Sequence, residues 1–309
     1  MRAATWNEIG TDVKNARNVD TVLEQANLNY TVRKRPSKRY NSITRRNEPY
    51  PEYVSRRFHT ERVSDGHVYE AGLTESYTVI QNRDAFDFVN YIADDIRFEK
   101  AGETENGLVY VIGRLPDVNI LGDGFTPHVI FTNGFGGNSS VRAAICPLRI
   151  ICQNQFATAF GDTNNSISIR HTKGAVARMK EAKKTLITAA DYMEQLRKMA
   201  EGYAAMKIGP RQLGLVIDAM FPEKEGMAEE KLKALAKKKA KFEAELMAAM
   251  QQPDNYMFRG TAWGLVNAYT DMLTHAPVKG RSSAESRFEK VTFGNDAARF
   301  MRIVDKIAV

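Results

Sequence analysis

The chain has 309 residues, 43% of them hydrophobic and 26% charged, which is enough apolar material for one large or two ordinary domains. It contains no run of eighteen apolar residues, and no basic start followed by an apolar stretch and a small-residue cleavage site; neither a membrane span nor a secretory signal is expected, and the expected setting is the cytoplasm. The net charge of +7 is concentrated: between residues 28 and 63, ten basic side chains stand against three acidic ones, and the remainder of the chain is neutral.

In chain order, residues 6–27 predict one short helix with Asn18 or Asp20 as its cap. Residues 28–67 then form a basic, aromatic, turn-rich arm. Tyr30, Tyr40, Tyr50, Tyr53 and Phe58 alternate with Arg33, Lys34, Arg35, Lys38, Arg39, Arg45, Arg46, Arg56 and Arg57. Rings among cations suit a strand whose bases stack while its phosphates are neutralised. A solvated loop or a basic hairpin tucked against the core fits the same residues.

Residues 77–80 predict a strand, and Asn82 a cap for a helix with Ala85, Phe88, Val89 and Ile92 inward. Two strands, 96–101 and 108–115, meet through Asn106-Gly107, a strong hairpin signal. A second hairpin joins 127–132 to 139–146 around the glycine-rich loop 133–138. Val141, Ala143 and Ile145 alternate with Arg142, Ala144 and Cys146, and Pro147 then stands where a helix would begin, with Leu148, Ile151, Cys152, Gln155 and Ala159 at helical spacing. Cys146 and Cys152 are expected as reduced thiols. The whole reads as an α+β fold, an antiparallel sheet of hairpins with helices on one face and the other face available.

Residues 166–170 predict a further strand. From 175 to 205 a heptad seam runs through Met179, Ala182, Leu186, Ala189, Met193, Leu196, Ala200 and Tyr203; it needs a partner, either another helix of this chain or a second copy. Pro210 opens a short helix to Phe221, residues 227–250 a lysine-rich one with Leu232, Leu235, Phe242 and Leu246 inward, and residues 260–275 one with Trp263, Val266, Tyr269 and Leu273. A polar basic segment follows, and Asn295 caps a last helix. The divisions are 1–67 for the arm, 68–173 for the α+β core and 174–309 for the helical region.

No phosphate-cradling GxxxxGK[ST] loop, G-x-G-x-x-G after a strand, G-x-S-x-G, H-E-x-x-H or paired C-x-x-C occurs, so ATP-driven work is not expected. The glycines of the 133–138 loop precede a strand rather than a helix, which suits a turn better than a nucleotide. His171, between Arg170 and Lys173, fits a phosphate-contacting cluster better than a base for Cys152. Asp94, Asp95, Asp117, Asp123 and Asp162 could supply a metal-dependent nuclease, but no spacing selects a set.

Trp6 with Gly10, residues 29–32 (NYTV), 77–82 (YTVIQN) with Phe86, Ala101-Gly102, 148–154 (LRIICQN), 169–172 (IRHT) and 260–264 (GTAWG) with Asn267 resemble the phage/plasmid-like protein family, built on a domain of unknown function (nine-three-two). That resemblance implies carriage on phages and plasmids and brings no catalytic residues. The order of elements also looks like the phage single-strand annealing proteins of the RecT, Red beta and Erf type, an analogy of fold. It implies an oligomeric ring or filament that holds a strand by its phosphates.

The resulting expectation is an ATP-independent, homo-oligomeric protein that binds nucleic acid, above all single-stranded DNA, with no catalytic residue, metal or cofactor. Its contacts would come from the arm cations named above, with Tyr40, Tyr50 and Phe58 stacking, and from Arg142, Arg149, Arg170, His171 and Lys173. The alternatives are a phage or plasmid interaction protein acting on a host factor through the heptad helix and the arm, and the nuclease.

Overall fold

Asn18 starts the first helix as expected: its Oδ1 accepts the Thr21 N–H at 2.9 Å, capping α1 (Val19–Gln25), which follows the two-residue strand β1 (Thr11–Asp12). The structure is a computed structural model that describes residues 4–49, 57–87, 89, 96–137, 139–151, 155, 166–175, 177–179, 189–275 and 283–307.

The arm is β-structure. β2 (Val32–Pro36) and β3 (Lys38–Asn41) are separated by one residue, and β3 turns back through 42–45 into β4 (Arg46–Pro49). Asn41 Oδ1 takes the backbone N–H groups of Ile43 and Thr44, and Arg45 adopts φ +53°, so the asparagine side chain organises this turn. β2 pairs with β5 (Phe58–Arg62), and β5 with β6 (Val68–Leu73), all antiparallel. The base of the arm is fixed by Arg62, whose guanidinium lies 4.2 Å from the Tyr30 ring, donates to the Tyr69 hydroxyl and pairs with Glu103 at 2.7 Å. Thr60 adds a bond to the Phe135 carbonyl at 2.7 Å.

Helix α2 (Asn82–Phe86) begins one residue earlier than Asn82 would allow as a cap. Gln81 holds the cap position, yet its amide serves β2 instead, accepting from Val32 N–H and donating to Val32 C=O as a neighbouring strand would. Asn82 is buried and bridges inward, donating to the Leu28 carbonyl and accepting from Asn133. Of the strand expected over 77–80, a single bridge between Tyr77 and Thr172 is present.

Among the described residues a seven-stranded sheet runs in the order β1, β7 (Arg97–Glu103), β8 (Leu108–Arg114), β10 (Asp123–Gly134), β11 (Ser140–Arg149), β12 (Ser166–Arg170), with β9 (Val118–Ile120) paired beside β10. Gly107, at φ +73°, turns the first hairpin as Asn106-Gly107 predicts. One face of the sheet (Val109, Val111, Val129, Phe131, Val141, Ala143) packs on α1 and α2. The other face is not available: Tyr110, Ile112, Ile130, Cys146 and Leu148 are covered by Ala4, Trp6, Ile9 and Phe288. Each large ring so buried contributes roughly 1.5–3 kcal/mol, a strong reason for the N-terminal segment to stay in place.

The helix expected from Pro147 is strand for its first three residues. Pro147 stands opposite Pro127, whose carbonyl is turned toward β8 and accepts the Leu115 N–H at 2.9 Å. The missing N–H of Pro127 therefore lies on the β8 side, and the two prolines oppose each other where the β10–β11 ladder requires no donor. Leu148 forms a bridge with Gln155, and residues 152–154 and 156–165 lie outside the described residues.

The helices α3 (Ala189–Ala205), α4 (Pro210–Met220), α5 (Glu229–Met250) and α6 (Ala262–His275) follow, with a 3₁₀ helix at Pro253–Phe258. Of the heptad seam, Met193, Leu196, Ala200 and Tyr203 are buried with Trp263 and Val266 of α6, whereas Met179 is buried in the other cluster, with Val141 and Ala143 of the sheet, so these residues find their partners within the chain. α5 packs on the same helix, with Leu246 inward and Leu232 exposed. The polar segment near the end contains a helix absent from the expectation, α7 (Ala284–Phe293), capped by Ser283 accepting from Ser286 N–H and held by the single fully buried ring of Phe288. α8 (Asp296–Ile307) is the last helix, with Met301 and Val304 inward and Ile307 at the margin of the same cluster.

Candidate nucleic-acid interface

Lys38, Arg39, Tyr40, Arg45 and Arg46 are all exposed on the β3–β4 ribbon, Tyr40 at 65%. Strand alternation places Lys38 and Tyr40 on one face, and Arg39 beside Asn41 on the other, opposite Glu48 and Arg46. Glu48 accepts from Thr44 and from Asn41, which, with the charge of Arg39 opposite it, hold its carboxyl below the usual carboxylate range. Among the described residues no carboxylate lies within salt-bridge distance of Lys38, Arg39, Arg45, Arg46 or Arg57. Nearer the core the charge is partly spent. Arg33 and Arg35 share Glu61 at 2.5 and 3.4 Å, and the Arg33 hydrogen bond keeps that carboxyl below its ordinary range. Lys34 points inward, donating to the Glu75 and Tyr77 carbonyls with the half-buried Phe58 ring 4.8 Å away. Lys34 and Phe58 thus brace the arm instead of presenting themselves to a ligand. Tyr50 and Arg56 lie outside the described residues.

Two expected contacts are withdrawn by burial. Arg149 is 2% exposed, paired with Asp123 and donating to the Asp254 carbonyl at 2.5 Å, where no phosphate reaches it. His171 is 3% exposed and stacked on Tyr77, ring centroids 5.2 Å apart and planes 2° from parallel. Burial pushes its imidazole down to about 4, so it is neutral near pH 7 and offers no positive charge.

Arg142, Arg170 and Lys173 gather along the β11–β12 edge. The register Ser140↔Arg170 and Arg142↔Ser168 puts these four side chains on one face. Arg170 and Lys173 are exposed, and Arg178, absent from the expected set, joins them by donating to Thr172 at 2.5 Å. The Tyr77–Thr172 bridge ties this edge to the segment that Lys34 anchors, linking it to the foot of the arm.

The family described as Domain of unknown function (DUF932) matches residues 72–294. The chain belongs to that family. No curated protein and no solved structure matches it. The DUF932 segment begins in β6 and closes just after α7, so it contains every strand of the seven-stranded sheet except β1, including its β12 edge, while the basic ribbon lies before it.

Within the DUF932 segment the other sequence-level candidates resolve as follows. The glycine-rich loop already holds an anion of the chain's own: Glu70 accepts the Gly137 N–H at 2.5 Å. Asp117 is held by Arg114 and Thr126, and Asp123 by Arg149; Asp94, Asp95, Asp162 and Cys152 lie outside the described residues. Among the described residues no group of three or more metal-ligating side chains is assembled, and no helix is long and apolar enough to cross a membrane.

Proposed function

We propose that this protein binds single-stranded nucleic acid, DNA in the first place, through the β3–β4 ribbon, and promotes annealing without ATP as a homo-oligomer in phage or plasmid recombination, in the cytoplasm of the host. The observation that supports this reading is the ribbon itself, where Lys38, Arg39, Arg45 and Arg46 are exposed beside the exposed Tyr40 and, among the described residues, none has a carboxylate within salt-bridge distance, although Arg39 stands opposite Glu48. A two-stranded ribbon with four exposed cations and one carboxylate, Glu48, carries mutual repulsion that a polyanion offsets. An exposed ring among them gives a base a surface to stack on. The host-factor alternative has less support, because the seam residues Met193, Leu196, Ala200 and Tyr203 are buried with α6 and Met179 against the sheet.

The test is fluorescence anisotropy of a labelled dT oligonucleotide over a salt series. With four ribbon cations each neutralising a phosphate, log Kd changes with log salt by about 3, at ~0.7 per contact. Replacing Lys38, Arg39, Arg45 and Arg46 together by Gln removes most of that slope and leaves the melting temperature unchanged. Salt-independent binding by the wild type removes the reading. Mass measurement with and without the oligonucleotide reads the subunit number.

A further inference from the structure

A cleft of about 490 Å³ opens where the β7–β8 turn, the start of β11 and the helix α7 meet. Its floor is Leu108, Ser140 and Arg142, and its far wall is α7, with Ser286, Glu289 and Phe293. Arg142 is the centre of the arrangement. Its Nε donates to Ser140 Oγ at 3.1 Å, Ser140 Oγ is bonded to Ser168 Oγ at 2.9 Å, and its guanidinium lies 5.7 Å from the centroid of the Phe293 ring. Ring below and hydroxyl behind fix the plane of the guanidinium, while its two terminal nitrogens have no hydrogen-bond partner among the described residues. Such a fork matches two oxygens of one tetrahedral oxyanion.

The surroundings agree with an anion. Ser139 and Ser286 line the cleft with hydroxyls, and Arg170 stands next to Ser140 on the same sheet face. Lys290 is at the rim, 3.6 Å from Asp296, and Glu289, the one carboxylate in the lining, is engaged by Thr104 at 3.0 Å. A second cleft, beside Trp6, differs in this respect: there Lys14, Arg114 and His128 each already face a carboxylate, Asp12, Asp117 and Glu99.

We propose that the Arg142 cleft seats one phosphate group of the bound strand, a fixed contact separate from the ribbon. This inference rests on the nucleic-acid reading above and adds a particular seat to it. The ribbon supplies diffuse charge, and the cleft supplies a preoriented fork.

The experiment measures a dT oligonucleotide without terminal phosphates by anisotropy, and inorganic phosphate by calorimetry, on the wild type and on Arg142→Gln. Loss of a charge-assisted fork is expected to weaken oligonucleotide binding about tenfold, and to lower the salt slope by about 0.7. Arg142→Lys keeps the slope and recovers part of the affinity. Arg170→Gln, on an exposed edge position that folding does not need, weakens binding about threefold, at the scale of one exposed phosphate contact, and decides the matter should Arg142→Gln unfold. Wild-type affinity and slope in Arg142→Gln and Arg170→Gln, with loss in the ribbon variant, overturn the seat and leave the ribbon reading standing. Loss of inorganic phosphate binding with full oligonucleotide affinity makes the cleft a site for the free ion and also overturns it. No oligonucleotide binding by the wild type removes both readings.

Discussion

Arg46 on the ribbon and Arg149 at the end of β11 carry the same guanidinium in opposite surroundings. Arg46 is in solvent with no carboxylate at hand, whereas Arg149 is sealed beside Asp123 and under the Asp254 carbonyl. In water a charge is cheap to hold and easily lent to a ligand; inside the protein it is committed, because desolvation makes any unmet partner expensive. The contrast teaches that the local excess of +7 is not one field of equal charges. Its outer part is open, Arg33 and Arg35 are half-neutralised by Glu61, and Lys34 and Arg62 are structural.

The largest effect expected from this contrast is at Arg149. Arg149→Met strands the buried Asp123 carboxylate and lowers stability in urea unfolding by about 3–5 kcal/mol. Adding Asp123→Leu recovers most of it. A single variant as stable as the wild type would show that the pair is not a committed one. Next is His171, whose folded imidazole titrates at about 4 against 6.5 in the open chain. The unfolded state takes the proton first on acidification, so the stabilisation is present above pH 6.5 and is lost as pH falls from 6.5 to 4, by roughly 3 kcal/mol. His171→Phe keeps a ring on Tyr77 and removes that difference; equal pH dependence of the two melting temperatures would sink the assignment.

On the ribbon, effects move to binding. Tyr40→Ala is expected to weaken oligonucleotide affinity by about 1–3 kcal/mol if a base stacks there, with no change in melting temperature; undiminished affinity rules out the stack. The smallest effect is at Glu61. Glu61→Gln frees Arg33 and Arg35 and tightens binding about twofold, with little change in melting temperature, since both guanidinium groups stand in solvent. Weaker binding in that variant would mean that the pair positions the arginines instead of screening them.

Local signals were legible in the sequence. Asn18 has a side chain that caps and a helix behind it, Asn106-Gly107 has the backbone freedom a tight hairpin needs, and the alternation over 141–146 marks a strand. What could not be read depends on distant partners. Pro147 reads as a helix start until Pro127 is found opposite it, and α7 shows one buried ring, Phe288, in a polar stretch too weak to announce a helix. Trp6 lies a hundred residues from the Tyr110 face it helps to cover, so sequence pattern left that face open. The candidate site divides in the same way. The ribbon cations are visible as composition, while the burial of Arg149 and His171 and the fork of Arg142 follow from pairings across the sheet.

The facing prolines of β10 and β11 also bear on how the chain finds its fold. A slip of one residue in that hairpin would turn every inward side chain of β11 outward, and would bring a proline nitrogen to a position where the ladder demands a donor. The pair therefore acts as a pin against misalignment in the longest strands of the sheet, and Pro147→Val should fold into a less uniquely aligned hairpin rather than a more stable one.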